Sequence, residues 1–274
     1  MPNWRRWQAQ LVDHLILIGG ALLMTLPVYS IFAATTHEGG RVRPRLDLGG
    51  STLENYGHFL QTGAGFSGDV TALSMMWNSF LLGAGFATLK VVLSLMTAYA
   101  LIYFRVRFAS AIFAVLLLTL LLPLESRFLP TYAVTVELGL VNTRAGLILP
   151  LVASGLGTLF FRQFLMTVPD ALLESARIDG AGPLKFFKDI LVPLSLPTAA
   201  ALFLVMFVNG WNQYLWPVMV TSEESTYTLV RGMQFFGNSS LRGLMLAVLA
   251  FVPPALLVIL FQRQVVKGLF DGSH

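Results

Sequence analysis

Residues able to do chemistry are few in this chain, and they gather in a handful of places. Lys90 stands alone in a long apolar run, where a cation costs roughly 3 kcal/mol on insertion scales. A charge kept there faces a bundle interior, either along a pathway or against a backbone carbonyl or carboxylate that holds it. Glu125 and Arg127 lie at the end of another apolar run; they can pair with each other, or Arg127 can attract a phosphate. Asn209, Trp211, Asn212, Gln213 and Tyr214 make a polar and aromatic patch late in a third run. Amides in lipid must find partners, so the patch either recognises the hydroxyls of a small polar ligand or glues helices together. Gly65-Phe66-Ser67-Gly68 superficially matches a serine-nucleophile turn. Of the four histidines (His14, His37, His58 and His274), none falls in the later apolar runs to serve as its base. An intramembrane hydrolase is therefore a reading without a general base. The chain has no cysteine, hence no thiolate nucleophile and no cysteine metal site. It also lacks a G-x-x-x-x-G-K-[ST] phosphate loop. No catalytic residue and no metal ligand is assigned.

The elements that must position these residues follow from composition. Of 274 residues, 55% are hydrophobic and 12% charged, with a mean hydropathy of +0.71. Soluble domains carry about a quarter charged residues. The balance excludes a soluble enzyme, a nucleic-acid-binding module and a disordered regulator, and it points to a bilayer. A hydrocarbon core of about 30 Å takes roughly 20 helical residues. Six runs meet that length: Leu15–Ala34, Trp77–Phe104, Phe108–Tyr132, Ala145–Met166, one within Ile190–Ser222, and Gly243–Gln262 with Pro253-Pro254 near its middle. The expected fold is all-α: a polytopic membrane protein of six transmembrane helices. Arg5 and Arg6 before the first run suggest a signal peptide, but the run is long and no small-residue cleavage site follows. It reads as a retained anchor.

Orientation follows the basic residues. With the N-terminus inside, ten Lys and Arg fall in inner segments and seven outside, three of those in one long loop. Both termini are expected in the cytoplasm. The outer loop from about Thr35 to Met75 is polar and glycine-rich, with a short helix expected around Thr52–Leu60, and a second outer loop spans about Glu223–Arg242.

The inner connection 167–192 is amphipathic and too polar for lipid. Thr167 can cap a helix, Pro169 suits a first turn, and the Asp170 carboxylate can reach back to the cap amide. Leu172, Leu173 and Ala176 then recur at helical spacing. Gly180 follows Asp179, where a left-handed residue would end that helix. Pro183 opens a second short helix with an apolar stripe of Leu184, Phe187, Ile190 and Leu191, and Pro193 and Pro197 punctuate the start of the fifth span. By shape alone this is either a protruding knob or an amphipathic segment flat on the membrane surface.

The segment Glu174-Ser175-Ala176-Arg177-Ile178-Asp179-Gly180-Ala181, followed by Phe187, Ile190 and Pro193, resembles the EAA loop of ABC importer permeases. Ser175 stands where that pattern has alanine. Ala98–Phe108 (AYALIYFRVRF) is similar to the segment closing the second span in the carbohydrate-uptake branch. Leu122–Val134, Phe160–Ser195 and Asn209–Pro217 resemble the branch members that import sn-glycerol-3-phosphate. The likeness runs from about Trp77 to the C-terminus.

That resemblance implies a permease subunit in a bacterial inner membrane, the whole chain one permease domain with residues 167–192 as its cytoplasmic coupling loop. It implies a heterodimer with a second homologous permease, two ATPase subunits below, and a periplasmic or extracellular substrate-binding protein above. The chain itself would bind no cofactor; ATP and Mg would be used by the ATPase. Glu174, Ser175, Ala176, Asp179, Gly180, Ala181 and Phe187 would contact that ATPase. The cargo would be sn-glycerol-3-phosphate, glycerophosphodiesters included, or else another sugar or polyol.

Overall fold

In the computed structural model, residues 3–39, 43–61, 66, 70–236 and 240–270 are described, without the side chains of 3–9, 61, 124, 125 and 263–270. Most of them are helical, and four helices are long and apolar enough to cross a membrane: Gln10–Thr35, Ala72–Tyr103, Pro183–Trp211 and Leu241–Gln262. Two bent helix pairs raise the number to six if each counts as one span. The chain divides into two compact units, Met1–Leu73 with Gly232–Phe251 and Ser74–Arg231 with Val252–His274.

The first unit is built on helix α1 (Asn3–Thr35). Along its middle, Leu15, Leu17, Leu22, Leu23 and Met24 are each more than half exposed, while Ala33 and Ala34 near its end are buried. A helix apolar on every side and uncovered by protein suits lipid rather than water. At its end, short polar side chains replace lipid-facing ones. The Thr36 hydroxyl donates to the Ala33 carbonyl at 2.7 Å and accepts from Gly49 N–H at 2.6 Å. Asn55, on helix α2 (Thr52–Gln61), donates to the carbonyls of Thr35 and His37. The short helix expected in this loop is therefore present and pinned to α1.

The second unit holds α3 (Ala72–Tyr103), α4 (Ala109–Leu121), α5 (Leu124–Glu137), α6 (Arg144–Ile148), α7 (Gly155–Met166), α8 (Asp170–Ile178), α9 (Pro183–Phe186), α10 (Val192–Trp211), α11 (Leu215–Val220) and α12 (Leu229–Met233). Helix α13 (Leu241–Phe270) runs through Pro253 and Pro254. Helices α3 and α10 cross where Gly83 meets Gly210: a Cβ built on Gly210 would lie 3.0 Å from Gly83 Cα. Small residues at a crossing let two backbones approach, the usual device where lipid supplies no hydrophobic drive. Below the crossing, Phe207 stacks on Trp211 with ring centroids 5.7 Å apart.

Two of the expected spans are discontinuous, and the fifth is one continuous helix. The third breaks between α4 and α5, which bend by 105°. Pro123 lacks an N–H and forces Leu122 into extended backbone (φ −79°, ψ 123°), so α4 cannot continue. The fourth breaks after a 3₁₀ turn at Leu149–Leu151 and restarts at Gly155, where the Ser154 hydroxyl accepts from Gly157 N–H at 3.1 Å; the bend is 53°. The fifth ends at Trp211, with the separate helix α11 beyond it. Its other end reaches back to Pro183, because α9 passes through a π turn (Phe187–Leu191) directly into α10. Pro193 explains the wide turn: its ring would collide with the carbonyl four residues back in a regular helix.

Candidate coupling loop and cationic cavity

Residues 167–192 hold two short helices, α8 and α9, joined by a turn at Gly180. Thr167 does not cap α8; its hydroxyl donates to the Phe164 carbonyl at 2.7 Å and closes α7. Pro169, in extended backbone, takes the cap position, and the helix begins at Asp170. The acidic Asp170 in the first turn and Arg177 in the last complement the helix dipole. Gly180 ends α8 in the left-handed region at φ +72°. Ala181 N–H reaches the Ala176 carbonyl at 2.8 Å, and Gly180 N–H reaches Arg177 at 3.0 Å. These two bonds are the Schellman closure.

Of the motif residues only Ala176 is buried; Glu174, Ser175, Asp179 and Gly180 are exposed and Ala181 is half-buried. Ser175 donates back to the Ala171 carbonyl, and no described residue bonds to the Glu174 carboxylate. Two large apolar side chains stand out beside these polar groups, Ile178 at 86% exposure and Leu184 at 78%. The expected stripe on the second helix is split: Leu191 is buried and Phe187 and Ile190 half-buried, while Leu184 points away. The residue buried in its place is Phe186.

The second feature is a half-open cavity of about 520 Å³ between α3, α4, α5, α7 and α10, within the size range of small-molecule sites. Lys90 and Arg127 both line it, with Asn209 and Gln213 from the end of α10. Ser94, Thr97, Thr119, Ser154 and Thr158 add hydroxyls, and no carboxylate is among the described lining residues. The Lys90 ammonium sits 4.2 Å from the centroid of the Phe86 ring, a cation–π contact. No described residue gives it a hydrogen bond or a counter-ion. The break before α7 also opens here, so Ser154 and Gly155 put the positive end of that helix on the same wall.

The structure thus brings together Lys90, Arg127, Asn209 and Gln213 and separates the others. Trp211 is 1% exposed and belongs to the Phe207 stack, while Asn212 and Tyr214 are exposed and do not line the cavity. The Glu125 side chain lies outside the described residues, as do Gly65, Ser67 and Gly68 of the serine tetrapeptide. The hydroxyls were missed by sequence reasoning, although Lys90, Ser94 and Thr97 recur at the i, i+4, i+7 spacing of one helix face.

Several apolar helices, a capped loop between two of them and a cation-lined cavity suit a membrane transport protein. The chain belongs to the family described as binding-protein-dependent transport system inner membrane component, whose pattern matches residues 90–271. It is a multi-pass membrane protein and a subunit of a multi-component transport system. Among particular relatives, it is 40% identical over 272 residues to the sn-glycerol-3-phosphate transport system permease protein UgpE of Brucella melitensis, covering 96% of each chain. The UgpE protein of Rhizobium meliloti matches equally, at 40% over 272 residues. That of Yersinia pestis is 41% identical over 269 residues, 95% of each chain. A chain from the crystal structure of a bacterial ABC transporter involved in import of the acidic polysaccharide alginate has the same fold, with a TM-score of 0.76 at 19% identity over 96% of this chain and 98% of that one.

Proposed function

We propose that this chain is the pore-forming, non-enzymatic permease subunit of an ATP-driven ABC importer whose cargo is sn-glycerol-3-phosphate. The observation that carries the substrate is the cavity: two cations, two amides and several hydroxyls with no lining carboxylate among the described residues. In a partly dehydrated passage two like charges attract a phosphate and repel a cation strongly. Amides and hydroxyls complement the glycerol end. The UgpE relatives, named for the same cargo, support this reading.

The whole chain is one permease domain, with residues 167–192 as its cytoplasmic coupling loop, both termini in the cytoplasm, and the bacterial inner membrane as its location. Glu174, Ser175, Ala176, Asp179, Gly180, Ala181 and Phe187 form the ATPase-facing element. Exposed Ile178 and Leu184 suit a short amphipathic helix entering a partner's groove. A second, homologous permease completes the pore, two ATPase subunits use ATP and Mg, and a substrate-binding protein delivers cargo from outside.

The test is uptake of labelled sn-glycerol-3-phosphate by the reconstituted complex, wild type against the double variant Lys90→Met, Arg127→Gln. Import falls at least tenfold in the assembled variant. Wild-type uptake by that variant removes the cavity from the pathway, and a wild type that imports only neutral sugars or polyols overturns the cargo.

A further inference from the structure

The loop connects α7 to α10 along the chain, and a side-chain hydrogen bond ties it to a third helix. Near the end of α3, the Tyr99 hydroxyl donates to the Pro183 carbonyl at 2.9 Å. That carbonyl sits at the first residue of α9, directly after the Gly180 turn. Tyr99 is buried, and its ring lies 4.8 Å from that of Phe187 and 5.3 Å from those of Tyr103 and Phe104. Tyr103 in turn meets the fully buried Phe186 edge-on at 5.4 Å. Five aromatic rings and one hydrogen bond therefore lock α9 against the end of α3. Close-packed rings of this kind move together or not at all, since interiors repack between discrete arrangements rather than stretching.

What α3 carries makes the lock informative. Lys90 lies nine residues before Tyr99 on the same continuous helix, about 14 Å along its axis at 1.5 Å per residue. Ser94 and Thr97, between them, line the same cavity. A displacement of α9 transmitted through Tyr99 therefore reaches the cation-lined wall by a rigid rod.

We infer that Tyr99 is a positioning residue that couples the 167–192 loop to α3, so that movement imposed on the loop also moves Lys90 and the cavity wall. The inference rests on the reading of that loop as the ATPase contact. Tyr99→Phe keeps the ring and removes only the donor; Tyr99→Ala removes both. In the reconstituted complex, import and ATP hydrolysis are measured separately in each. Tyr99→Phe hydrolyses ATP at the wild-type rate, but import per ATP falls about fivefold, the factor carried by one net hydrogen bond. Tyr99→Ala loses more. A merely structural role lowers thermal stability and both activities together and leaves their ratio unchanged, which would overturn the inference.

Spin labels at exposed Lys185 and Met96 supply a second measurement on the otherwise unaltered chain. With Tyr99 intact, their separation stays constant between nucleotide-free and ATP-bound complexes. If it changes, α3 does not follow the loop and Tyr99 is not a strut. Absence of any ATPase from the purified wild-type complex is a different result: it defeats the proposed function, while a broader label-distance distribution in the Tyr99→Ala permease alone than in the wild type still reports whether the lock exists.

Discussion

Replacing Gly180 tests the coupling loop at the point where the geometry demands most of one residue. Its φ of +72° lies in the left-handed region, and a Cβ built there meets nothing within 4 Å. Any cost of substitution is therefore backbone strain, without steric overlap inside the chain. For an ordinary L-residue that strain is about 1–2 kcal/mol, a factor of roughly 5–30 in the population of the closed turn. Asn tolerates the left-handed region far better, and a β-branched residue tolerates it least. The expected order of residual import is Gly180, then Gly180→Asn, then Gly180→Ala, with Gly180→Val lowest. Loss of the turn also releases the 2.8 Å bond from Ala181 to Ala176, so α8 frays from its C-terminal end, beside Asp179. Uptake in proteoliposomes and co-purification with the ATPase read the two consequences, transport and docking, while membrane insertion stays normal in all variants. Wild-type import by Gly180→Val refutes the argument. So does a Gly180→Asn variant as impaired as Gly180→Val, since side-chain bulk against a partner, and not backbone conformation, would then decide.

Two further outcomes separate packing from pathway. Trp211→Ala empties a fully buried site in the Phe207 stack and costs about 3–5 kcal/mol, seen as a large drop in the unfolding temperature in detergent; exposed Asn212→Ala changes it little. Gly157→Ala drives a Cβ against the Ser94 hydroxyl and to within 2.9 Å of Ser94 Cβ, destabilising the α3–α7 contact by about 1–3 kcal/mol in the same assay. Gly57→Ala, with nothing within 4 Å, serves as the control and does not destabilise.

How much of this could be read from residues alone depends on what kind of signal each feature leaves. Spans one, two and six are long uncharged or nearly uncharged runs, and helices stand where they were expected. The helices of the 167–192 loop were legible because their determinants are local: a proline that opens a helix, a glycine that closes one, and an apolar period between them. The start of α8 was misread for the same reason. Thr167 has the chemistry of a cap for the helix ahead, but its hydroxyl is already engaged by the helix behind, and only three-dimensional structure decides between two local partners.

The broken spans mark where hydropathy fails, and their breaks share a location. Apolar residues and glycine flank Pro123 and Ser154, so an average over 20 residues passes straight through them. Yet Leu120 and Arg127, Ala153 and Ser154, and Asn209 and Gln213 all line the one cavity. Backbone that leaves the helix at membrane depth exposes unpaired N–H and C=O groups, and it is tolerated only inside protein or along a water-filled space. The breaks therefore require the cavity, and a cavity built from helix ends, two cations and amides requires the breaks. In the sequence, Lys90, Arg127, Asn209 and Gln213 stand as separate polar residues in or beside apolar runs, each open to a purely structural explanation. They are parts of one feature: the breaks in the third and fourth spans and the end of the fifth open on one cavity, and all four residues line it.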